Sequence, residues 1–136
     1  MSFILDTNVL SELRKGARAD KNVRAWVEQQ DDQALFLSVV ALAEIRDGIE
    51  QLRARDSRQA NQLEIWLLKI VSHFGNRILP VTAEVADRWG LLNMAQKLPD
   101  FDRLIAATAI AHGFDIATRN VRDFERTGIK VVNPWD

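Results

Sequence analysis

The chain has 136 residues, enough for one domain that buries most of the apolar surface its unfolded form would expose, and 1–136 reads as a single unit. Hydrophobic residues make up 47% and charged residues 27%, a globular balance, and no apolar run approaches the roughly 18 residues that a membrane helix needs. The absence of cysteine excludes disulfides and thiolate metal sites, and a formal net charge of −1 excludes coating nucleic acid by bulk positive charge, though not a local basic rim.

Phe3-Ile4-Leu5 runs directly into Asp6-Thr7-Asn8. An apolar run that ends in polar groups before a helical pattern reads as a buried parallel strand, with Asp6 at its carboxyl end, where open α/β sheets bind ligands. Asp6 also interrupts any signal-peptide pattern, so a cytoplasmic setting is expected. Val9 to Arg14 reads as a short helix stopped by Gly16, and Val23, Trp26 and Val27 mark a second helix. Leu35-Phe36-Leu37 is the second strand. From Val39, the residues Leu42, Ile45, Ile49 and Leu52 define a helix face, with Glu44 on the flank it shares with the small residues Ala41 and Gly48.

Asp56 with Gln59 suggests a capping box for a helix with the buried stripe Ala60, Leu63, Leu67, Val71 and Phe74, ending at Gly75. Ile78 to Val81 is a short third strand interrupted by Pro80. Thr82 caps a helix carrying Val85, Trp89 and Leu92. Pro99 breaks that pattern, and the segment from Leu104 to Ala111 is apolar on nearly every side, so it predicts a buried helix with Asp102 at its amino end. Phe114 to Thr118 is the fourth strand, Arg119-Asn120 a turn, Asp123 the start of a helical turn ending at Gly128, and Val131-Val132 a fifth, edge strand. Alternating strands and helices predict a three-layer α/β/α domain with a central, mainly parallel sheet of about five strands and right-handed crossovers.

Asp6 and Thr118 end strands, whereas Asp102 and Asp123 begin helices, and parallel strands put both kinds of terminus on one sheet edge. Glu44, from the crossover after the second strand, reaches the same edge. Carboxylates about 4 Å apart repel by roughly 4 kcal/mol per pair at an effective dielectric near 20, so a shared pocket calls for a cation, and hard oxygen ligands select Mg²⁺ or Mn²⁺. Each acid also has an ordinary structural role open to it: an Asx turn for Asp6, helix caps for Asp102 and Asp123, an exposed helix face for Glu44. A capping role does not explain why Asp100 and Asp102 both precede a helix that needs only one cap. Two further classes stay open on the residues alone. One is an aspartyl-nucleophile phosphatase, which wants a second acid where this chain has Asn8; the other is a non-catalytic module whose acids bind metal for stability.

Leu5-Asp6-Thr7-Asn8-Val9-Leu10-Ser11-Glu12-Leu13, the run from Ser38 to Ile49 around Glu44, Asp102 to Ala109, Thr118 to Phe124, and Asn133-Pro134-Trp135 together resemble PIN-domain toxins of the VapC family, close to its FitB-like branch. The five blocks stand in the family's order and span almost the whole chain. The resemblance implies a PIN fold, Mg²⁺-dependent endoribonuclease activity with Mn²⁺ able to substitute, control by a VapB-type antitoxin, and a homodimer or higher assembly. It assigns metal and catalytic roles to Asp6, Glu44, Asp102 and Asp123, with Thr7, Asn8, Thr118 and Asn120 in support, and leaves Asp100 as an extra acid to which the cap of the following helix is assigned. Arg103, Arg119 and Arg122, neighbours of those acids in sequence, are expected to steer the RNA backbone. Arg46 could pair with an acid or a phosphate. Apolar residues near the first helix and in the Ala60 to Phe74 segment could form a groove for a partner helix. His73, His112, Trp26, Trp66 and Trp89 read as structural, and Trp135 as a cover for the sheet edge or a subunit contact.

Overall fold

In the computed structural model, which describes residues 1–92 and 98–136, five short strands form one sheet: β1 (Phe3–Leu5), β2 (Leu35–Ser38), β3 (Ile78–Leu79), β4 (Asp115–Ala117) and β5 (Val131–Val132). Their order is β3-β2-β1-β4-β5, and every pairing is parallel, with β5 at an edge. Around them lie α1 (Thr7–Leu13), α2 (Lys21–Gln29), α3 (Val39–Arg53), α4 (Ser57–Phe74), α5 (Ala83–Leu91), α6 (Asp100–His112) and α7 (Val121–Glu125).

Strand alternation divides the core into two. Ile4, Phe36 and Ile116 face one side, where they meet Val85 of α5, Ile105, Ala106 and Ala109 of α6 and Phe124 of α7. Phe3, Leu5, Leu35, Leu37 and Ala117 face the other, against Val9 and Leu10 of α1, Val23 of α2 and Phe74 of α4. The result is a three-layer α/β/α arrangement. Trp26 meets Phe3 edge-on at 5.0 Å, and Trp66 and Trp89 pack at the margins of the two cores.

Several boundaries differ from expectation for local reasons. α1 begins at Thr7 rather than Val9 because Asp6 is itself its N-cap. β3 stops at Leu79, since Pro80 has no N–H to continue the ladder. Val71 is 40% exposed, because the buried side of α4 runs through Ala60, Leu67 and Phe74 and is flanked by Trp66 and Ile70 rather than Val71. The capping box forms in one direction: Asp56 Oδ1 accepts from the Gln59 N–H at 3.0 Å. Asp100 does not cap α6. Pro99 occupies the N-cap position, without a side chain able to cap, and Asp100 is the first helical residue, its side chain 81% exposed and 3.6 Å from Arg103 Nη2. An acid there still favours the positive end of the helix dipole. Asp123 likewise lies inside the first turn of α7, which starts at Val121.

A buried cation joins the sheet to α4. Arg77 is 7% exposed; its Nη1 donates to the carbonyls of Asp32 (2.6 Å) and Leu35 (2.7 Å), and its Nη2 to Asp32 Oδ2 (3.1 Å) and the His73 carbonyl (3.2 Å). His73 Nε2 lies 3.0 Å from Asp32 Oδ1, so the turn before β2, the end of α4 and the start of β3 share one polar knot. Arg77→Met keeps the apolar stem but strands the carbonyls. It should cost about 2–4 kcal/mol, read as a lower urea midpoint with an unchanged slope.

Candidate functional site

β1 and β4 are neighbours in register, with Leu5 opposite Ala117, so Asp6 and Thr118 leave the sheet together. The chain turns from β1 towards β2 on one side and returns to β4 on the other, which makes this the topological switch point where open sheets bind ligands. Asp6 is 4% exposed and Thr118 fully buried. The Thr118 hydroxyl donates to Asp6 Oδ2 at 2.7 Å, and the Thr7 N–H to Asp6 Oδ1 at 2.8 Å. Burial pushes the Asp6 carboxyl above its ordinary range, and these two donors pull against that. Thr118 Oγ1 also accepts from the Asn120 N–H (2.9 Å) and the Asn8 amide (3.4 Å), while Asn8 Oδ1 accepts from the Arg119 N–H (3.4 Å). The four supporting polar residues Thr7, Asn8, Thr118 and Asn120 thus lie around Asp6, two of them on its carboxylate.

Glu44 arrives from α3, which starts directly after β2 with Ser38 as its cap. Its Oε1 accepts from the Thr7 hydroxyl at 3.0 Å, and its carboxyl is pushed up by burial and by the charge of Asp6. Asp102, in the first turn of α6, is pushed up to about 6, first by burial and then by Asp6, Glu44 and Asp123. Asp6, Glu44 and Asp102 line one cleft of about 560 Å³. Asp123 is exposed and outside the described lining, yet near enough for its charge to act on Asp102.

The three arginines separate. Arg119 lines the cleft, and Arg122 is exposed on α7 outside the described lining. Arg103 does not serve as an RNA contact: it is 7% exposed, its Nη1 donates to the Leu92 carbonyl at 2.9 Å, and its guanidinium lies 3.8 Å from the centroid of Trp89. Neighbours on a helix point about 100° apart, so with Asp102 on the cleft Arg103 turns into the core, a signal already present in the sequence. Arg46 pairs with acids, Glu64 at 2.7 Å and Glu50 at 3.1 Å. Ser11, Glu12, Arg14, Lys15 and Trp135 complete the lining, and the sequence reading singled out none of them as site residues. For Ser11 and Lys15 the available signal was helical spacing from Asn8. A second groove, of about 280 Å³, shares Thr7, Arg14 and Glu44 with the cleft and runs between α1, α3 and α4 past Ile45, Gly48, Ile49, Leu63 and Trp66.

The donors suit a hard divalent cation. All are oxygens, and the carboxyl of Asp102 is raised by burial and, after that, by the acids around it. Among the described residues no three acidic or imidazole side chains converge closely enough to enclose an ion by themselves.

The PIN-domain profile matches residues 3–130. The VapC ribonuclease Y4jK of Sinorhizobium fredii is 37% identical over 98% of this chain and 98% of its own length. A crystal structure of FitAcB from Neisseria gonorrhoeae superposes with a TM-score of 0.87 at 32% identity, covering 98% of each chain. A toxin-antitoxin complex from Klebsiella pneumoniae gives 0.71 at 29% identity over 99% of each.

The electrostatics of the cleft can be read in stability. Folded Asp102 keeps its proton to about 6 against an ordinary 3.8, so between those values the folded chain binds more protons than the unfolded one, and this carboxyl's contribution falls as pH rises through the window. Glu12, Asp32 and Glu50, held below their ordinary values, act oppositely, so the comparison of wild type with Asp102→Asn isolates the effect. Without divalent cation, Asp102→Asn should be more stable at pH 7 by on the order of 1 kcal/mol, after allowance for the screening of a half-exposed group, with no advantage at pH 4. Urea titrations at the two pH values measure it.

Proposed function

The chain belongs to the PIN-domain family, and on that premise we propose that it is a Mg²⁺-dependent endoribonuclease, with Mn²⁺ able to substitute, and the toxin of a VapBC-type pair. One observation carries the reading: carboxylates from the end of β1, from α3 and from α6 line one cleft, where Asp102 is pushed up first by burial and then by the charges of Asp6, Glu44 and Asp123. Asp6 and Asp102 would hold the cation, with Glu44 and Asp123 in support. When bound, the cation supplies a Lewis acid for the phosphoryl oxygens and lowers the pKa of water at the site.

The chain's own residues do the rest. Thr118 and Thr7 fix Asp6 in one orientation from both of its oxygens. Glu44 has one oxygen engaged by Thr7, and its raised carboxyl is suited to accept a proton from water through the other. Arg14, Lys15 and Arg119 line the same cleft and attract the phosphodiester backbone towards the acids.

The test is a mixed RNA pool incubated with purified protein and Mn²⁺ or chelator, with the cut ends mapped. Cleavage should require the cation, fall to background in Asp6→Asn, and drop by about 10–100-fold in Thr118→Val, which frees the carboxylate without removing it. Cleavage that survives chelation would refute the proposal.

The toxin-antitoxin complex of the Klebsiella pneumoniae relative supports an antitoxin as partner, and the proposed pairing makes it VapB-type. The groove between α1, α3 and α4 suits an amphipathic helix, and because it shares Thr7, Arg14 and Glu44 with the cleft, a chain continuing from that helix passes over the acids. A basic side chain there would be complementary to them. Trp66→Ala should weaken the antitoxin complex roughly 10-fold or more while leaving RNA cleavage by the free protein intact, as measured by calorimetric titration and the cleavage assay.

A further inference from the structure

The proposed chemistry leaves one wall of the cleft unused. Trp135 is the one aromatic side chain among the described lining residues, and its neighbours there are all charged or polar. It is held in place: its N–H donates to Asn133 Oδ1 at 3.0 Å, its carbonyl accepts from Asn22 Nδ2 of α2 at 2.9 Å, Pro134 before it is buried, and the ring packs at the margin of the core beneath α1 and α2. The Arg119 guanidinium lies 5.1 Å from the ring centroid. A large ring fixed by its backbone and left partly open in a polar cleft marks a binding surface rather than packing alone.

We propose that Trp135 and Arg119 form a nucleobase subsite, on which a base of single-stranded RNA stacks while the adjoining phosphate lies towards Asp6, Glu44 and Asp102. The proposal rests on the ribonuclease reading and names its substrate class. Indole and guanidinium both present flat faces on which any base stacks, and only an unpaired base has a face to offer. Arg119 lies against the ring, and Arg14 and Lys15 line the same cleft, so a base stacked there finds cations for the phosphates on either side of it. The subsite therefore selects strands, loops and ends over duplex.

The experiment separates binding from cleavage. With chelator present, short single-stranded oligoribonucleotides and a duplex of the same sequence are titrated into the protein, following anisotropy and tryptophan emission. Wild type should bind the single strand more tightly and show quenching. Trp135→Phe, which keeps a ring, should retain affinity within a few-fold but lose most of the quenching, although three other tryptophans remain. Trp135→Leu should bind roughly 10-fold more weakly. Arg119→Gln should weaken binding and flatten its salt dependence; should Trp135→Leu fail to fold, the Phe and Gln variants decide. With Mn²⁺ added, the Leu variant should raise KM and leave kcat nearly unchanged. Single-strand affinity equal to wild type in Trp135→Leu, quenching that persists in Trp135→Phe, equal binding of duplex, or no binding by wild type would each overturn the subsite. Cleavage that needs the cation but ignores Trp135 would sink the subsite and spare the nuclease, whereas Trp135-dependent binding without cleavage would do the reverse.

Discussion

The hydroxyl of Thr118 on the carboxylate of Asp6 is the contact from which the cleft is built. It exists because β1 and β4 are parallel, adjacent and paired Leu5 to Ala117, so that the next residue of each strand leaves the sheet beside the other. Backbone continues the link, since the Asp6 N–H donates to the Ala117 carbonyl at 2.9 Å. Around that fixed point α3, α6 and α7 start from the same sheet edge and contribute Glu44, Asp102 and Asp123. Each acid is ordinary in its own element. What sets Asp6, Glu44 and Asp102 apart is the partly desolvated space they share, which raises their carboxyls, while Asp123 stays exposed and acts on Asp102 through its charge.

Much of this was legible in the chain because strands and amphipathic helices announce themselves by period, and because Asp6 and Thr118 stand where apolar runs end. Five strands, their parallel sense and the buried α6 follow from that alone. Spacing does not say which elements meet, and the departures lie there. Arg103 looked available because it adjoins Asp102, yet its helix turns it towards Trp89 and Leu92. Asp100 looked like a cap because the helix was taken to start after it, whereas Pro99 takes that position. Arg77 carried no pattern at all, for its partners are main-chain carbonyls that a sequence cannot display. Trp135 sits far from Asp6 in the chain and reaches the cleft only through the order of β5, β4 and β1.

A net charge near zero conceals a divided surface. Acids hold the floor of the cleft while Arg14, Lys15 and Arg119 share its lining, so both signs of charge face one hollow. Two basic residues away from the cleft serve structure: Arg46 and Arg53 both grip Glu64, tying α3 to α4 beside the packing of Ile49, Ala60 and Leu67. Exposed pairs of this kind contribute little each. They join the two helices, α3 and α4, that wall the groove.

Because Asp6 is bonded through its own amide into the central pair of strands, the reactive centre has no hinge of its own. Local opening of loops or helix ends would leave it intact, and disabling it from within would mean dismantling the middle of the sheet, the most protected part of such a molecule. Fraying at the margins of the domain therefore leaves the placement of Asp6 unchanged, and its position is as durable as the sheet itself.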